Sequence, residues 1–158
     1  MDADRAALKA EIIQERKVTR LLNGKLVVVN LCDLCACLNP TDLHECLISR
    51  GRARGNPELE HATLHSKYNV SLLCNPCNLQ RAEIVKCRRL LISKNIDRYG
   101  YQPMCAWVYS LPFAAEAQRD EYLLLLDELT YEMKPGRWAE IEPKLWNYGP
   151  RYGKAEGG

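Results

Sequence analysis

Two Cys-x-x-Cys pairs, Cys32-Asp-Leu-Cys35 and Cys74-Asn-Pro-Cys77, bracket a polar segment that holds every histidine of the chain: His44, His61 and His65. A tight x-x turn presents two sulfurs to one ion, and two such turns brought together supply the four ligands of a tetrahedral zinc site. The ligand set read from this spacing is Cys32, Cys35, Cys74 and Cys77. Cys37 and Cys46 are substitute ligands without a partner at x-x spacing, and Cys87 and Cys105 read as core residues. A tetrathiolate zinc keeps no position open for water, so the site is structural and any hydrolysis needs a second centre.

Candidates for that centre lie between and beside the pairs. They are Asp42-Leu-His44-Glu45, then Asn69 in Asn-Val-Ser-Leu-Leu ahead of Cys74, and Asn78 directly after Cys77. In order and spacing, the stretch from Cys32 to Leu91 resembles the HNH, or ββα-metal, nuclease family. In zinc-containing members of that family, a Cys-x-x-Cys knuckle precedes a strand with adjacent polar residues. An Asn then lies a few residues before a second Cys-x-x-Cys, which is followed directly by His or Asn. The resemblance implies a DNA endonuclease that hydrolyses phosphodiester bonds, by nicking or double-strand cleavage, with Mg2+ or another divalent ion. By position it makes His44 a ligand of the catalytic ion and Asn78 its helper. Asn69 becomes the residue that braces the hairpin through backbone hydrogen bonds, and Glu45 falls where the family usually places a general-base histidine.

Glu45 is the departure. An unperturbed carboxylate, with a pKa of about 4, is a weaker base at neutral pH than an imidazole. Three readings follow. Glu45 is the base; or His44 is the base, with Asp42 or Glu45 on the metal; or catalysis is lost and binding remains. His-Glu versions of this strand occur in phage-type HNH proteins, which puts the active enzyme first. His61 and His65 either supply the imidazole that the strand lacks or are ordinary surface histidines. The alternative function is a catalytically inactive zinc-knuckle module that binds nucleic acid or protein.

The net charge of +2 is unevenly spread. Between Gln80 and Arg98 the bases Arg81, Lys86, Arg88, Arg89, Lys94 and Arg98 face only Glu83 and Asp97, and Arg50, Arg52 and Arg54 form a second group. Such local excess suits a polyanion, here DNA, with Arg81, Arg88 and Arg89 on phosphates and the Arg50–Arg54 loop reaching a groove. The plainer reading is a solvated helix face. The N-terminus is charged and lacks an apolar signal core, and no run approaches the roughly 18 apolar residues of a membrane span. Eight cysteines without a secretory signal suit a reducing compartment, the cytoplasm of a bacterial or phage-infected cell.

These groups need elements to position them. Leu8, Ile12, Val18 and Leu22 predict a helix over 4–22, stopped by Asn23-Gly24. A β-branched run over 25–30 predicts a strand into the first knuckle, and 38–41 a turn. A strand follows over 42–49, a loop over 50–60, a helical turn or more loop over 61–67, and a strand over 70–73. A helix is predicted over 79–92, with no clear period over 95–112, where Tyr99, Tyr101, Trp107 and Tyr109 pack over the module's edge or face bases. The last helix, 114–133, carries the stripe Gln118, Tyr122, Leu125, Leu129 and Met133 and stops at Lys134-Pro-Gly. The expected fold is α+β: a small zinc-stapled ββα-metal, treble-clef-like core flanked by N- and C-terminal helices. Its parts are an N-terminal helix (1–24), the core (25–95), a helical extension (96–148) and a disordered tail (149–158). The terminal helices pack on the domain, against a second copy, or against a protein partner.

Overall fold

Asp2 starts the first helix. Its carboxylate accepts the Arg5 amide hydrogen at 2.6 Å and so caps α1 (Ala3–Glu15). From there the computed structural model, which describes residues 2–132, is α+β, with two two-stranded antiparallel sheets and seven α-helices among those residues. Met133, the Lys134-Pro-Gly stop, the aromatic tail and the segment 149–158 lie outside the described residues.

The helix ends at Glu15 rather than at 22. Val18–Leu22 is a strand, β1, paired with β2 (Lys25–Val29) in the register Val18↔Val29 to Leu22↔Lys25. Asn23 and Gly24, with φ of 51° and 78°, form the two-residue turn whose left-handed residues match the twist of a hairpin. The dipeptide that reads as a helix stop is therefore a hairpin turn.

The second hairpin pairs β3 (Asp42–Glu45) with β4 (Val70–Leu73), in the register Asp42↔Leu73 to Glu45↔Val70. β3 stops four residues short of the expected 49. Beyond Glu45 the backbone turns from strand pairing to one side chain: Asn69 Oδ1 accepts the amides of Leu47 (3.1 Å) and Ile48 (2.7 Å), and its Nδ2 donates to the carbonyls of Ile48 (2.9 Å) and Thr63 (3.0 Å). Between the two strands lie helices rather than a loop. These are α2 (Arg50–Ala53), capped by Ser49, and α3 (Pro57–Leu64), capped by Asn56 with proline in its first turn.

After the second knuckle, the single expected helix is two: α4 (Asn75–Gln80) and α5 (Val85–Tyr99). The aperiodic stretch is helical as well, because α5 gives way at Gly100 (φ 96°) to α6 (Tyr101–Ser110). The break there resets the helical phase, and so hides the period. α7 (Glu116–Glu132) buries Tyr122, Leu126 and Leu129.

The packing follows from the faces of β3–β4. On one side Leu8 and Ile12 of α1 close over Val70 and Leu72, with Leu43 alongside. On the other side the knuckle cysteines, Leu47, Ile48 and Leu73 meet Leu91 and Ile92 of α5, Met104 and Val108 of α6, and Leu126 and Leu129 of α7. Arg16, at the end of α1, ties these parts together. It donates to the carbonyls of Val70 (3.0 Å) and Lys67 (3.2 Å) and to the Tyr99 hydroxyl (3.0 Å). No helix among the described residues is long and apolar enough to cross a membrane.

Asn69 is fully buried, so Asn69→Ala leaves two interior amides without an acceptor. It is expected to lower the unfolding free energy by on the order of 3 kcal/mol, read as a fall in urea midpoint at constant m. A variant within about 0.5 kcal/mol of wild type would contradict the bracing role.

Candidate metal centre and adjoining polar site

The first knuckle is a tight reversal. Ala36 donates its amide to the Cys32 carbonyl (2.9 Å), Cys32 donates its own to the Cys37 carbonyl (2.9 Å), and Ala36 adopts φ 62°. The second knuckle reaches it across β4: the Cys74 amide donates to Cys32 Sγ at 3.4 Å, and Cys35 Sγ stands 3.7 Å from Cys74 Sγ. The sulfurs of Cys32, Cys35, Cys37 and Cys74 all lie within 4.8 Å of one another, and all four residues are buried. Cys77 makes thiol contacts with Cys32, Cys35 and Cys74. Four sulfurs at about 2.3 Å from a tetrahedral zinc would be separated by about 3.8 Å, close to the Cys35–Cys74 distance. The cluster could hold a metal ion such as zinc. Among the described residues it is the only group of three or more His, Cys, Asp or Glu side chains gathered closely enough to do so.

The surroundings suit an anionic cluster. Arg81 is only 3% exposed and donates Nη1 to Cys77 Sγ at 3.2 Å, so a buried guanidinium lies against the sulfurs. Hydrogen bonds from Cys35, and then from Cys37, Cys74 and Cys77, hold the Cys32 thiol far below the ordinary thiol range, while contacts with Cys32 push Cys37, Cys74 and Cys77 above it; a bound cation is what would let them all ionise. Asp33, inside the first pair, anchors the knuckle to β4. Its amide donates to the Leu72 carbonyl (3.0 Å), and its carboxylate accepts the Leu72 amide (3.0 Å) and pairs with Arg98 (3.3 Å).

The polar site begins with strand alternation. Asp42 and His44, two residues apart, point to one face of β3, while Leu43 and Glu45 point to the other. On the first face the Asn78 side chain, from α4, lies beside His44 and donates Nδ2 to Asp42 Oδ2 at 3.2 Å. Asn75 donates to the same oxygen at 3.0 Å. Glu83 Oε1 lies 3.7 Å from His44 Nε2. Asp42, His44, Asn78 and Glu83 thus converge from a strand, a helix and the turn that follows it. Burial is the largest influence on His44 and pushes its pKa below 6.5, against Glu83, Glu45 and Asn78, which raise it.

Glu45 is elsewhere. Its carboxylate pairs with Arg5 Nη2 at 2.7 Å and Arg50 Nε at 3.2 Å, on the face covered by α1. Asn69 is buried in its bracing role and is not brought into this group. His61 and His65 stack on each other near the start of α1, where His65 Nε2 meets Asp2 at 3.1 Å, so neither joins His44. Most of the proposed phosphate-binding arginines face inward or across to other elements. Arg88 donates to the carbonyls of Cys46 (3.0 Å) and Leu47 (2.6 Å), and Arg89 pairs with Glu128 (3.2 Å) and Glu132 (2.9 Å). Arg52 pairs with Glu121 at 3.2 Å, and Arg54 is exposed. A groove of about 660 Å3, lined by Arg52, Glu83, Arg88, Glu121 and Glu128 among others, opens beside Glu83 between the start of α5 and α7.

Glu83 was legible only as a charge opposing the basic run. The two-residue spacing of Asp42 and His44 is the signal that puts both on one face. Arg5 and Asp33 carry no motif at all.

The His44 imidazole is expected to titrate in NMR with a midpoint below 6.5, and Glu83→Gln should lower that midpoint further by removing a carboxylate that favours the cation. The folded state takes up this proton less readily than the unfolded chain. His44 therefore contributes stability that is present above pH 6.5 and lost as the pH falls toward the folded pKa. Cys74→Ser should abolish metal retention in native mass spectrometry and cost most of the cooperative thermal transition, since the binding energy of a structural ion is largely folding energy. No family model, no curated protein and no solved structure matches this chain.

Proposed function

We propose that this protein is a metal-dependent endonuclease of the HNH kind, which hydrolyses DNA phosphodiester bonds beside a structural zinc held by four cysteine thiolates. The observation that carries the reading is the convergence of His44 with Asn78 and Asp42, side chains drawn from separate elements by the thiol cluster between them. The order β3, β4, α4 supports a ββα-metal, treble-clef-like core. It brackets the polar group between the first strand and the helix.

Of the assignments open to this site, the one best supported makes His44 the general base. Glu45 is engaged by two arginines on the opposite face, whereas His44 is partly buried and its depressed pKa leaves the imidazole neutral and able to accept a proton. Asp42 and Asn78 would hold a divalent ion. One carboxylate and one amide suit Mg2+, which keeps several of its waters. Bound there, the ion would supply Lewis-acid stabilisation of charge on the phosphate and the leaving 3′-oxygen. His44 takes the proton from the attacking water, and Glu83 faces the imidazolium that results. Asn78, beside the imidazole, would help to orient the ring.

A second reading, a catalytically inactive zinc-knuckle module that binds protein or nucleic acid, is favoured by the β1–β2 hairpin. Leu21, Leu26 and Val28 stand 67%, 75% and 63% exposed on one of its faces. It requires binding that is indifferent to His44.

The test is cleavage of supercoiled plasmid across Mg2+, Mn2+ and Ni2+. His44→Ala is expected to lower the rate by about 10²–10⁴-fold, and Asp42→Asn and Asn78→Ala to raise the metal requirement. Glu45→Gln should instead lower stability while leaving the rate per folded molecule within about tenfold, because it strips the partner from the buried Arg5. No cleavage with any of the three ions would overturn the enzyme reading, and a Glu45→Gln loss as deep as that of His44→Ala would overturn the choice of base.

A further inference from the structure

A tetrahedral zinc takes four thiolates, and more than four sulfurs meet here. The group with all sulfurs within 4.8 Å of one another is Cys32, Cys35, Cys37 and Cys74. Cys77 is a fifth, in thiol contact with Cys32, Cys35 and Cys74. Cys37 contacts Cys32 and Cys35. Cys32, Cys35 and Cys74 therefore have two neighbours able to complete four sulfurs: Cys37, inside the 4.8 Å set, and Cys77, in contact with all three from outside it.

The backbone is shaped to bring Cys37 in. Ala36 has φ 62°, a left-handed conformation that an L residue other than Asn or Asp seldom adopts, and the Cys32 amide bond to the Cys37 carbonyl at 2.9 Å closes the turn. The result is a Cys37 side chain only 6% exposed, beside Cys32 rather than in solvent.

The two completing thiols have different supports. Cys77 receives a hydrogen bond from the buried Arg81 guanidinium at 3.2 Å, so its sulfur keeps a polar partner when it is off the metal. Cys37 is buried among the other thiols, where off the metal it packs as a small apolar group.

We propose that the ion is held by Cys32, Cys35 and Cys74, with a fourth position that Cys37 and Cys77 exchange. This rests on the zinc reading of the cluster. It makes the centre a soft-metal site with a resident spare ligand, tolerant of losing either exchanging thiol and intolerant of losing a shared one.

The experiment uses the full chain in wild-type, Cys37→Ser, Cys77→Ser, Cys37→Ser/Cys77→Ser and Cys74→Ser forms. Zinc stoichiometry is measured by native mass spectrometry, affinity by chelator competition, and sulfur count by the charge-transfer and ligand-field bands of the Co2+-substituted proteins. Far-UV circular dichroism of each form establishes that it is folded. Each exchange variant is expected to keep one ion and a four-sulfur Co2+ spectrum, with zinc affinity reduced by less than about tenfold. The double variant should show three sulfurs and lose more than about a hundredfold, beyond what removal of an outer-shell partner costs. A three-sulfur spectrum in Cys77→Ser with Cys37 in place, or four sulfurs in the double variant, would overturn the exchange while leaving a zinc site standing. A wild-type chain that binds no zinc or Co2+ would overturn the zinc reading, and the exchange with it.

Discussion

The convergence of two cysteine segments, 32–37 and 74–77, is the constraint on which the rest depends. Cys32 accepts the amide of Cys74, Cys35 reaches Cys74 across 3.7 Å, and Asp33 bonds both backbone groups of Leu72, its amide donating to the carbonyl and its carboxylate accepting from the amide. These contacts fix the start of α4 against the turn after β2. Because β3 and β4 lie between the clamped ends, their pairing is fixed as well, and Asn78, one residue past Cys77, is delivered to the face that carries Asp42 and His44. A small α+β body with a single phenylalanine thereby gains a rigid centre that apolar burial alone would struggle to supply.

Around that centre, arginine is used as an internal connector. The segment after β3 and the approach to β4 are irregular and leave carbonyls without ladder partners. Arg88 takes those of Cys46 and Leu47, Arg16 those of Lys67 and Val70, and Arg5 that of Leu64. A guanidinium suits this role because its planar fork serves two acceptors at once and stays charged when buried. In the basic run that suggests a polyanion in one dimension, Arg81, Arg88, Arg89, Lys94 and Arg98 engage the chain's own sulfur, carbonyls and carboxylates in three. Charge counts along a chain do not distinguish the two uses, since the carbonyls being served are invisible in the sequence.

Other features were legible to different degrees, each for a physical reason. Cys32, Cys35 and Cys74 of the thiol cluster could be read from spacing, because x-x turns present sulfurs independently of the fold around them, whereas Cys37, which joins them in the close set ahead of Cys77, has no partner at x-x spacing. The β2 and β4 strands followed from β-branched and apolar runs. The β1–β2 hairpin was hidden because Asn23-Gly24 serves equally as a helix stop, and the apolar spacing of Leu8 and Ile12 runs on by chance into Val18 and Leu22. The α5–α6 pair was hidden because Gly100 interrupts the period. His44 and Asn78, which the fold brings together, and Asn69, which braces the backbone after β3, were singled out by their order around the cysteine pairs. The partners that define what His44 and Glu45 do, Glu83 on one and Arg5 on the other, come from segments with no motif and are joined only by folding.

The alternation of His44 and Glu45 across β3 carries a consequence for how this chain must fold. Sliding β3 by one residue along β4 would exchange the two side chains, presenting the carboxylate to Asn78 and forcing the imidazole under α1 against the Arg5 cation. Such a slipped state would keep nearly the same backbone ladder, so strand pairing by itself gives little protection against it. Discrimination falls to what lies on either side of the strand: the Arg5–Glu45 ion pair beneath, and the Asn75 and Asn78 bonds to Asp42 above. The groups that would perform chemistry and the groups that oppose them are therefore also the strand's proofreaders.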